Sequence, residues 1–515
     1  MTMRRKNGIR FNMAWSYADM LAGMAMGFFY LPVLLSFIGK SDYGLMQLIL
    51  SITAYSAVAQ LGMSSAITRY TARYLEEGKP EAVTRLITMT FLIYCFTALL
   101  TTGVGLVVCL NLGVLFRLTA QEAARGRVAF LLAMANAVIG IPGNIPPSLL
   151  QGYNRYAVMH GGNIAKYVAR VIVLTVLLLR GYGLLAVFVV DLVLDVTLRI
   201  IFLLYLGVRL RVDFRLVRFD RAFFREISRF SVFILIGFIA DMVFWRTGSV
   251  LVGILRNTDE VAVYAVAQNL TSYLIRLATT FSSVFLPVLT GMVVRRDPQD
   301  AINGFFRKAS RYQFMLVYGV VLNFLFLGRE FIDLWVGPAF GPAFGYTLIV
   351  FVPLTVVLSE TTGVSLLFSM NRHRVRAVVF SLTAVLNIVL GVLLIRRYGT
   401  AGAALATAAT TLLGHVVFMN LYYRRVLGLK LVRFFSHVTG RTVLCSVPVM
   451  LLFAGANRLL PDHRLVTFAG KAVLCNAVYA VLLLCFAFED KEKAFVRGLF
   501  AIHRHGVPAG GEKVP

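Results

Sequence analysis

Apolar runs of about 20 residues, the length that crosses a hydrocarbon core about 30 Å thick, recur from one end of this chain to the other. Hydrocarbon offers the backbone no hydrogen-bond partners, so such runs must satisfy their own amides, and runs this long do so as helices. Reading them against basic or turn-forming interruptions gives fourteen candidate spans. Six start near Phe11, Tyr43, Thr84, Arg127, Tyr156 and Gly183, six near Phe230, Val261, Arg307, Ala343, Val375 and Ala401, and two near Val438 and Val466. Only 15% of the 515 residues are charged and 59% are hydrophobic, a balance outside the soluble globular classes. The chain reads as an all-α polytopic membrane protein.

A formal charge of +27 would suggest nucleic acid in a soluble protein. Here the basic residues concentrate in alternate loops, so no nucleic-acid partner is expected. With the N-terminus inside, 34 of the 51 Lys and Arg fall on the cytoplasmic side, 12 opposite and 5 within spans. The chain is therefore expected in the cytoplasmic membrane with both termini cytoplasmic. The apolar run after MTMRRKNGIR continues too far for a cleaved signal peptide and reads as a retained anchor. Cys95, Cys109, Cys445, Cys475 and Cys485 lie inside apolar runs without metal-ligand spacing. No nucleotide-binding loop is present, and no cofactor is expected.

Between Val212 and Phe230, Leu216, Phe219, Phe223, Ile227 and Phe230 share one helical face and Arg218, Arg221, Arg225 and Arg229 the other, the pattern of a helix lying at the headgroups of membrane lipid. An internal repeat flanks it. Asn154 and Arg155 match Asn371 and Arg372 at an offset of 217, Tyr182 and Gly183 match Tyr398 and Gly399 at 216, and Asp42 matches Asp259 at 217. Six spans per repeat give two lobes of the same orientation, related by a pseudo-twofold axis along the membrane normal. The expected organisation is a lobe over 1–210, a connector over 211–229, a second lobe over 230–430, two extra spans over 431–490 and a cytoplasmic tail over 491–515.

An ionisable residue inside a span costs about 3 kcal/mol or more and by default marks a pathway or a pair. Asn163, Lys166 and Arg170 are spaced three and four apart and share one helical face. No acid on their own helix relieves the two cations, so this face must meet an anion or water. Arg246 and Arg276 lie about as deep as Arg170, some 21–23 Å from their span starts. The acids are Asp19, Asp191, Asp195, Asp241 and Glu360. Asp195 and Arg199, four apart with the acid first, read as a structural pair. Asp241 and Arg246 sit about 140° apart around their helix and so take separate partners. Lys166, Arg170, Arg246, Arg276 and Asn163 are thus expected to line a cavity for an anionic substrate, guanidinium groups suiting phosphate. The competing reading is that these cations serve as inter-helix glue. Asp19, Asp191 and Asp241 are the candidates for carrying a coupling ion. His415 and His463 stand alone and read as packed or solvated.

The stretch FIGKSDYGLMQLILSITAYSAVAQLGMSSAITRYTARYLEEG, with QLGMSSAITR ending at Arg69, resembles the polysaccharide-transport, O-antigen-flippase-like branch of the multidrug, oligosaccharidyl-lipid and polysaccharide exporter superfamily. YAVAQNLTSYLIRLATTFSSVFLPVL, with Pro287, is similar to that family's eighth span, and FIDLWVGPAFGPAF resembles its loop before the tenth. Gln60 departs from the acidic residue often found at its position. The resemblance implies a flippase that exports a polyprenyl-diphosphate-linked oligosaccharide by alternating access, with a polysaccharide polymerase as an expected partner. A cation-coupled multidrug exporter and a lipid II flippase are the alternatives. Membrane polymerases and ligases carry large external loops with catalytic groups, whereas these loops are short and poor in His, Asp and Glu, so no enzyme is expected.

Overall fold

The computed structural model describes residues 2–60, 62–217, 221–283, 285–370, 374–428, 434–459 and 465–488, and these form helices joined by short turns. The first half comprises α1 (Thr2–Ala54), α2 (Met63–Glu76), α3 (Pro80–Leu110), α4 (Ala120–Gly143), α5 (Ile145–Gly152), α6 (Tyr156–Leu179), α7 (Gly183–Arg209) and α8 (Arg221–Leu255). Next come α9 (Thr258–Ser283), α10 (Leu286–Val294), α11 (Gln299–Trp335), α12 (Ala343–Ser359), α13 (Thr361–Ser369) and α14 (Arg374–Tyr398). Then α15 (Ala401–Thr410) runs through a π-helical stretch (Thr411–Phe418) into α16 (Met419–Leu427), and α17 (Arg441–Leu459) and α18 (Leu465–Leu482) follow.

Among the described residues ten helical runs are long and apolar enough to cross a membrane, or twelve when two bent pairs each count as one span. The protein is an all-helical, multi-pass membrane protein. One of the ten is a 63-residue run, Ala14–Glu76, which is interrupted at Gly39 (φ 75°, ψ 177°), a conformation open to glycine and closed to most side chains. The bent pairs turn by 44° between Ser282 and Pro287 and by 45° between Ser359 and Thr361. α7 is 27 residues long and is set apart from the other runs by Asp191, Asp195 and Arg199. Helix starts follow local chemistry. Thr119 and Glu122 form a reciprocal capping box at α4, in which each side chain meets the other's backbone amide.

The connector differs from the expected headgroup helix over 212–230. Residues 211–217 carry no helix, 218–220 lie outside the described residues, and the helix that begins at Arg221 runs unbroken to Leu255. The second half of the expected amphipathic segment is thus the first turns of a long helix. The expected tail over 491–515, His463 and the repeat landmarks Asn371 and Arg372 also lie outside the described residues.

The chain packs as two units. The first comprises Met1–Tyr273, Gly345–Val350 and Arg374–Phe418. In it α1 lies on α6 and α8, α4 and α6 both lie on α7, and α14 lies between α8 and α15. Glycines allow the closest crossings: a Cβ on Gly44 would fall 1.8 Å from the Thr258 carbonyl oxygen, and one on Gly152 would fall 2.7 Å from Thr71 Cβ. The outer face of α3 presents Leu99, Val104 and Leu110, the pattern expected against lipid tails.

The second unit comprises Leu274–Phe344, Phe351–His373 and Met419–Pro515. Its centre is α11, against which α17 and α18 pack through Leu322, Leu327, Val449, Phe453, Cys475 and Tyr479. Polar contacts fix their register: Asn323 and Asn476 exchange amide hydrogen bonds at 3.0 and 2.9 Å, and Tyr479 donates to the Met315 carbonyl at 3.1 Å. Lys471 is fully buried, with Nζ 3.2 Å from Glu330 Oε2. Arg311, in the first half of its helix, is buried as well. Removing one member of a dry ion pair strands the other. Lys471→Met is expected to destabilise the purified protein by about 3–5 kcal/mol, and the double variant Lys471→Met/Glu330→Leu to return near the parent, read as detergent melting temperatures. Equal melting of parent and single variant would show that the pair contributes nothing.

Candidate substrate cavity and ion-pair ladder

Every three or four residues α6 places a polar group on one face: His160, Asn163, Lys166 and Arg170. Small residues bring that face against its neighbours. A Cβ on Gly162 would meet Leu198 at 2.8 Å, and Gly161 lies under Trp15 of α1. All four side chains find partners within the first unit. His160 Nδ1 donates to Asp19 Oδ2 at 2.6 Å while its Nε2 lies 2.8 Å from Ser16 Oγ, and Asn163 Nδ2 donates to the same Asp19 oxygen at 2.9 Å. Lys166 Nζ donates to Asp195 Oδ1 at 2.9 Å. Arg170 clamps Asp191 with two hydrogen bonds, Nε to Oδ1 at 2.5 Å and Nη2 to Oδ2 at 3.1 Å, the strongest geometry available to a guanidinium.

The structure therefore supplies the anions that the α6 cations need, from α7 rather than from their own helix. It also corrects the expected Asp195–Arg199 pair. Asp195 is taken by Lys166 and by Asn136 Nδ2 (2.9 Å), and Arg199 Nη1 donates to Asn136 Oδ1 at 3.2 Å. Asn136 thus bridges the acid and the base. Arg199 has room because α4 has glycines beside it: a Cβ on Gly143 would fall 2.4 Å from Arg199 Cδ. The ion-paired side chains of Lys166, Asp195, Arg170 and Asp191 keep about a quarter of their surface accessible, and Asp19 is more enclosed. Its Oδ1 is buried and has no hydrogen-bond partner in the structure.

Arg246 occupies a different place in the same unit. It lines a cavity of about 110 Å³ with Gln47, Trp245, Tyr264, Gln268, Asn269 and Ser272. The amides there are oriented: Ser249 Oγ donates to Gln268 Oε1 at 2.6 Å, Gln268 Nε2 donates to the Trp245 carbonyl at 3.0 Å, and Asn269 Nδ2 donates to Tyr43 OH at 3.1 Å. Asp241, on the same helix, takes a hydrogen bond from Trp245 and faces the charge of Arg376. Arg276 is an exposed residue of the second unit. Glu360 in that unit is met by Asn420 at 3.0 Å. His415 is packed, its ring centroid 4.0 Å from that of Phe380 and 5.4 Å from that of Phe244.

Of the expected site residues, Asn163, Lys166, Arg170, Asp19 and Asp191 thus form one continuous ladder. His160 and Asn136 were missed in the sequence. His160 could have been found, since it lies three residues before Asn163 on the same helical face. Asn136 could not, because its role depends on how α4 crosses α7. Gln268 and Asn269 gave no signal either, being ordinary polar residues until the cavity orients them.

A sequence model described as polysaccharide biosynthesis protein matches residues 10–293. Among curated proteins, the uncharacterized membrane protein EpsK of Bacillus subtilis (strain 168) is 26% identical over 227 residues, a stretch that spans 41% of this chain and 42% of EpsK. Among solved structures, lipid II flippase MurJ in an inward closed conformation superposes with a TM-score of 0.70 at 13% identity, covering 95% of this chain and 99% of that one. An inward-facing multidrug resistance MATE family transporter of the MOP superfamily superposes at 0.64 with 14% identity, covering 80% and 94%. Identities this low establish the fold alone.

The ladder makes a stability prediction. Arg170→Ala leaves Asp191 without its clamp and should cost about 1–3 kcal/mol, less than a dry pair because both groups are partly accessible. Arg170→Ala/Asp191→Ala should recover much of that loss. A double variant no more stable than the singles would mean that the two groups are not coupled.

Proposed function

Because the chain belongs to the polysaccharide biosynthesis protein family, membrane transporters with the fold of the MOP superfamily and not enzymes, we propose that it flips a polyprenyl-diphosphate-linked oligosaccharide outward across the cytoplasmic membrane by alternating access. The observation that carries this reading is the set of cations in the membrane part, Lys166 and Arg170 on α6 with Arg246 on α8, in partly accessible or cavity-lining positions. A lipid-linked diphosphate is anionic at its head and apolar in its tail. It needs a cationic interior and a tail left in hydrocarbon. Asp191 and Asp195 keep the α6 cations extended and oriented while no substrate is bound. A diphosphate then takes over guanidinium hydrogen bonds that Asp191 makes, so that binding replaces one charged partner by another.

The proposed two-lobed architecture suits alternating access, and several features support proposing it. Dividing the 63-residue run at Gly39, admitting α7 and counting each bent pair once gives fourteen spans. The interruption at Gly39 has its counterpart near Arg256 and Asn257, 217 residues on, and Gly183 (φ 58°) and Gly399 (φ 65°) share the left-handed conformation. Ser41 and Thr258, also 217 apart, touch each other at 3.2 Å, as equivalent residues do only beside a twofold axis. Asn387, 217 residues after Arg170, joins α14 to α15 by a neutral bond, donating to Thr410 at 3.0 Å, while the position 217 after Asp191 is Ala408. Both termini are assigned to the cytoplasm by the loop charges.

One observation favours the cation-coupled exporter as the second reading: the buried, unpartnered Oδ1 of Asp19, where a proton or cation could bind. Asp191 and Asp241 are engaged by Arg170 and Trp245, which makes Asp19 the stronger coupling candidate of the three. A lipid II flippase handles the same head chemistry and differs in the sugar.

Deleting the gene should make a polyprenyl-diphosphate-linked oligosaccharide accumulate in extracted membrane lipids while surface polysaccharide falls. Complementation with Lys166→Gln/Asp195→Asn, which keeps a hydrogen-bonding pair but removes both charges, should leave the protein in the membrane at normal amounts and reduce export at least about tenfold, the cost of one lost charged contact. If the lipid does not accumulate and sensitivity to cationic drugs rises, the exporter reading replaces this one.

A further inference from the structure

A second cavity of about 540 Å³ opens on the first unit, bounded by the end of α1 and the 3₁₀ stretch that follows it (Tyr55–Gln60), by α3 and by α4. Its floor is Thr53, Phe130 and Met134, all buried, and its outer lip is Leu100 and Val104, 55% and 67% exposed. The threonines in it are apolar in effect. Thr53 donates to the Ile49 carbonyl at 2.9 Å, Thr97 to Tyr94 at 3.2 Å and Thr101 to Thr97 at 2.7 Å, so their hydroxyls are spent on their own helices. Water needs several polar partners to stay in a cavity, and this lining offers few. A close-packed interior does not leave a void of this size empty. An engineered 150 Å³ apolar cavity holds one benzene, so this slot holds roughly three or four five-carbon units.

The inner end of the slot is polar. Tyr55 lines it, and its hydroxyl lies 2.7 Å from Thr247 Oγ1 on α8, next to Arg246, whose charge acts on that phenol. An apolar channel that opens at a lipid-facing lip and ends beside a guanidinium fits an amphiphile with an anionic head. We infer that the slot receives the head-proximal isoprenyl units of the lipid-linked substrate, with the diphosphate toward Arg246. This rests on the flippase reading and adds where the tail goes. Tail binding here would let the protein recognise the lipid carrier whatever sugar it bears. Gly105 gives the slot its adjustable wall: any Cβ there would fall 2.2 Å from Met134 Cε, and methionine is the side chain best able to repack around an irregular chain.

The test uses the full chain in phosphatidylethanolamine vesicles with a benzophenone-bearing polyprenyl diphosphate, irradiated and mapped by peptide mass spectrometry. Adducts are expected on the segments containing residues 52–59 and 97–108. Thr101→Trp, which fills the slot, should cut adduct yield about tenfold, the loss expected when burial of some two methylene groups is forfeited. Val104→Trp at the exposed lip should do the same without disturbing the buried floor. Adducts confined to other segments would overturn the slot and leave the flippase reading standing. Adducts on the slot that excess phosphatidylethanolamine alkyl chains abolish as well as unlabelled polyprenyl diphosphate does would also overturn it, the occupant then being an ordinary membrane lipid. No saturable labelling anywhere would remove the flippase reading and the slot with it.

Discussion

Charge inside hydrocarbon is the constraint from which the first unit follows. Each cation on α6 must be met by something, and α7 meets them with Asp195 and Asp191, while Asp19 of α1 takes the neighbouring His160 and Asn163. Those contacts require α6 to lie close to two helices at once, which in turn requires Gly161 and Gly162 at the crossing and the glycines of α4 beside Arg199. The polar pairs therefore select the small residues around them. In water such a network would contribute little. In lipid it fixes rotation and depth, because a helix turned by one residue would strand a charge.

In the second unit one buried pair meets the same problem without access to water. Lys471 and Glu330 are closed off by the packing of α11 with α17 and α18, so their pairing is structural in effect. The α6 pairs remain partly open. That contrast separates charges that hold helices together from charges that can still exchange partners, and it is why only the latter enter the functional reading.

Much of the fold was legible because lipid imposes one rule on every span: length and apolarity announced the helices. The shared face of Asn163, Lys166 and Arg170 was equally readable, since helical period alone places them together. Partner identity was not. Asp195 lies four residues before Arg199 on one helix, the favoured spacing, yet Lys166 takes it from across the interface because Gly143 and Asn136 draw Arg199 the other way. Local spacing lost to tertiary geometry there. The connector failed for a related reason. From Arg221 the segment is the start of one long helix that runs to Leu255.

The capping box at α4 has one more implication. Glu122 does not serve Thr119 alone: its Oε1 also accepts Ser41 at 3.1 Å and reaches Thr258 at 3.5 Å, the two hydroxyls that sit 217 residues apart and touch. At the same spacing from Glu122 stands Ala339, whose side chain carries no acceptor. A single carboxylate thus closes a hydrogen-bonded ring with hydroxyls from two helices far apart in the chain. On the proposed repeat that carboxylate belongs to one half only, so the chemistry proposed for the two halves is unequal before any ligand arrives.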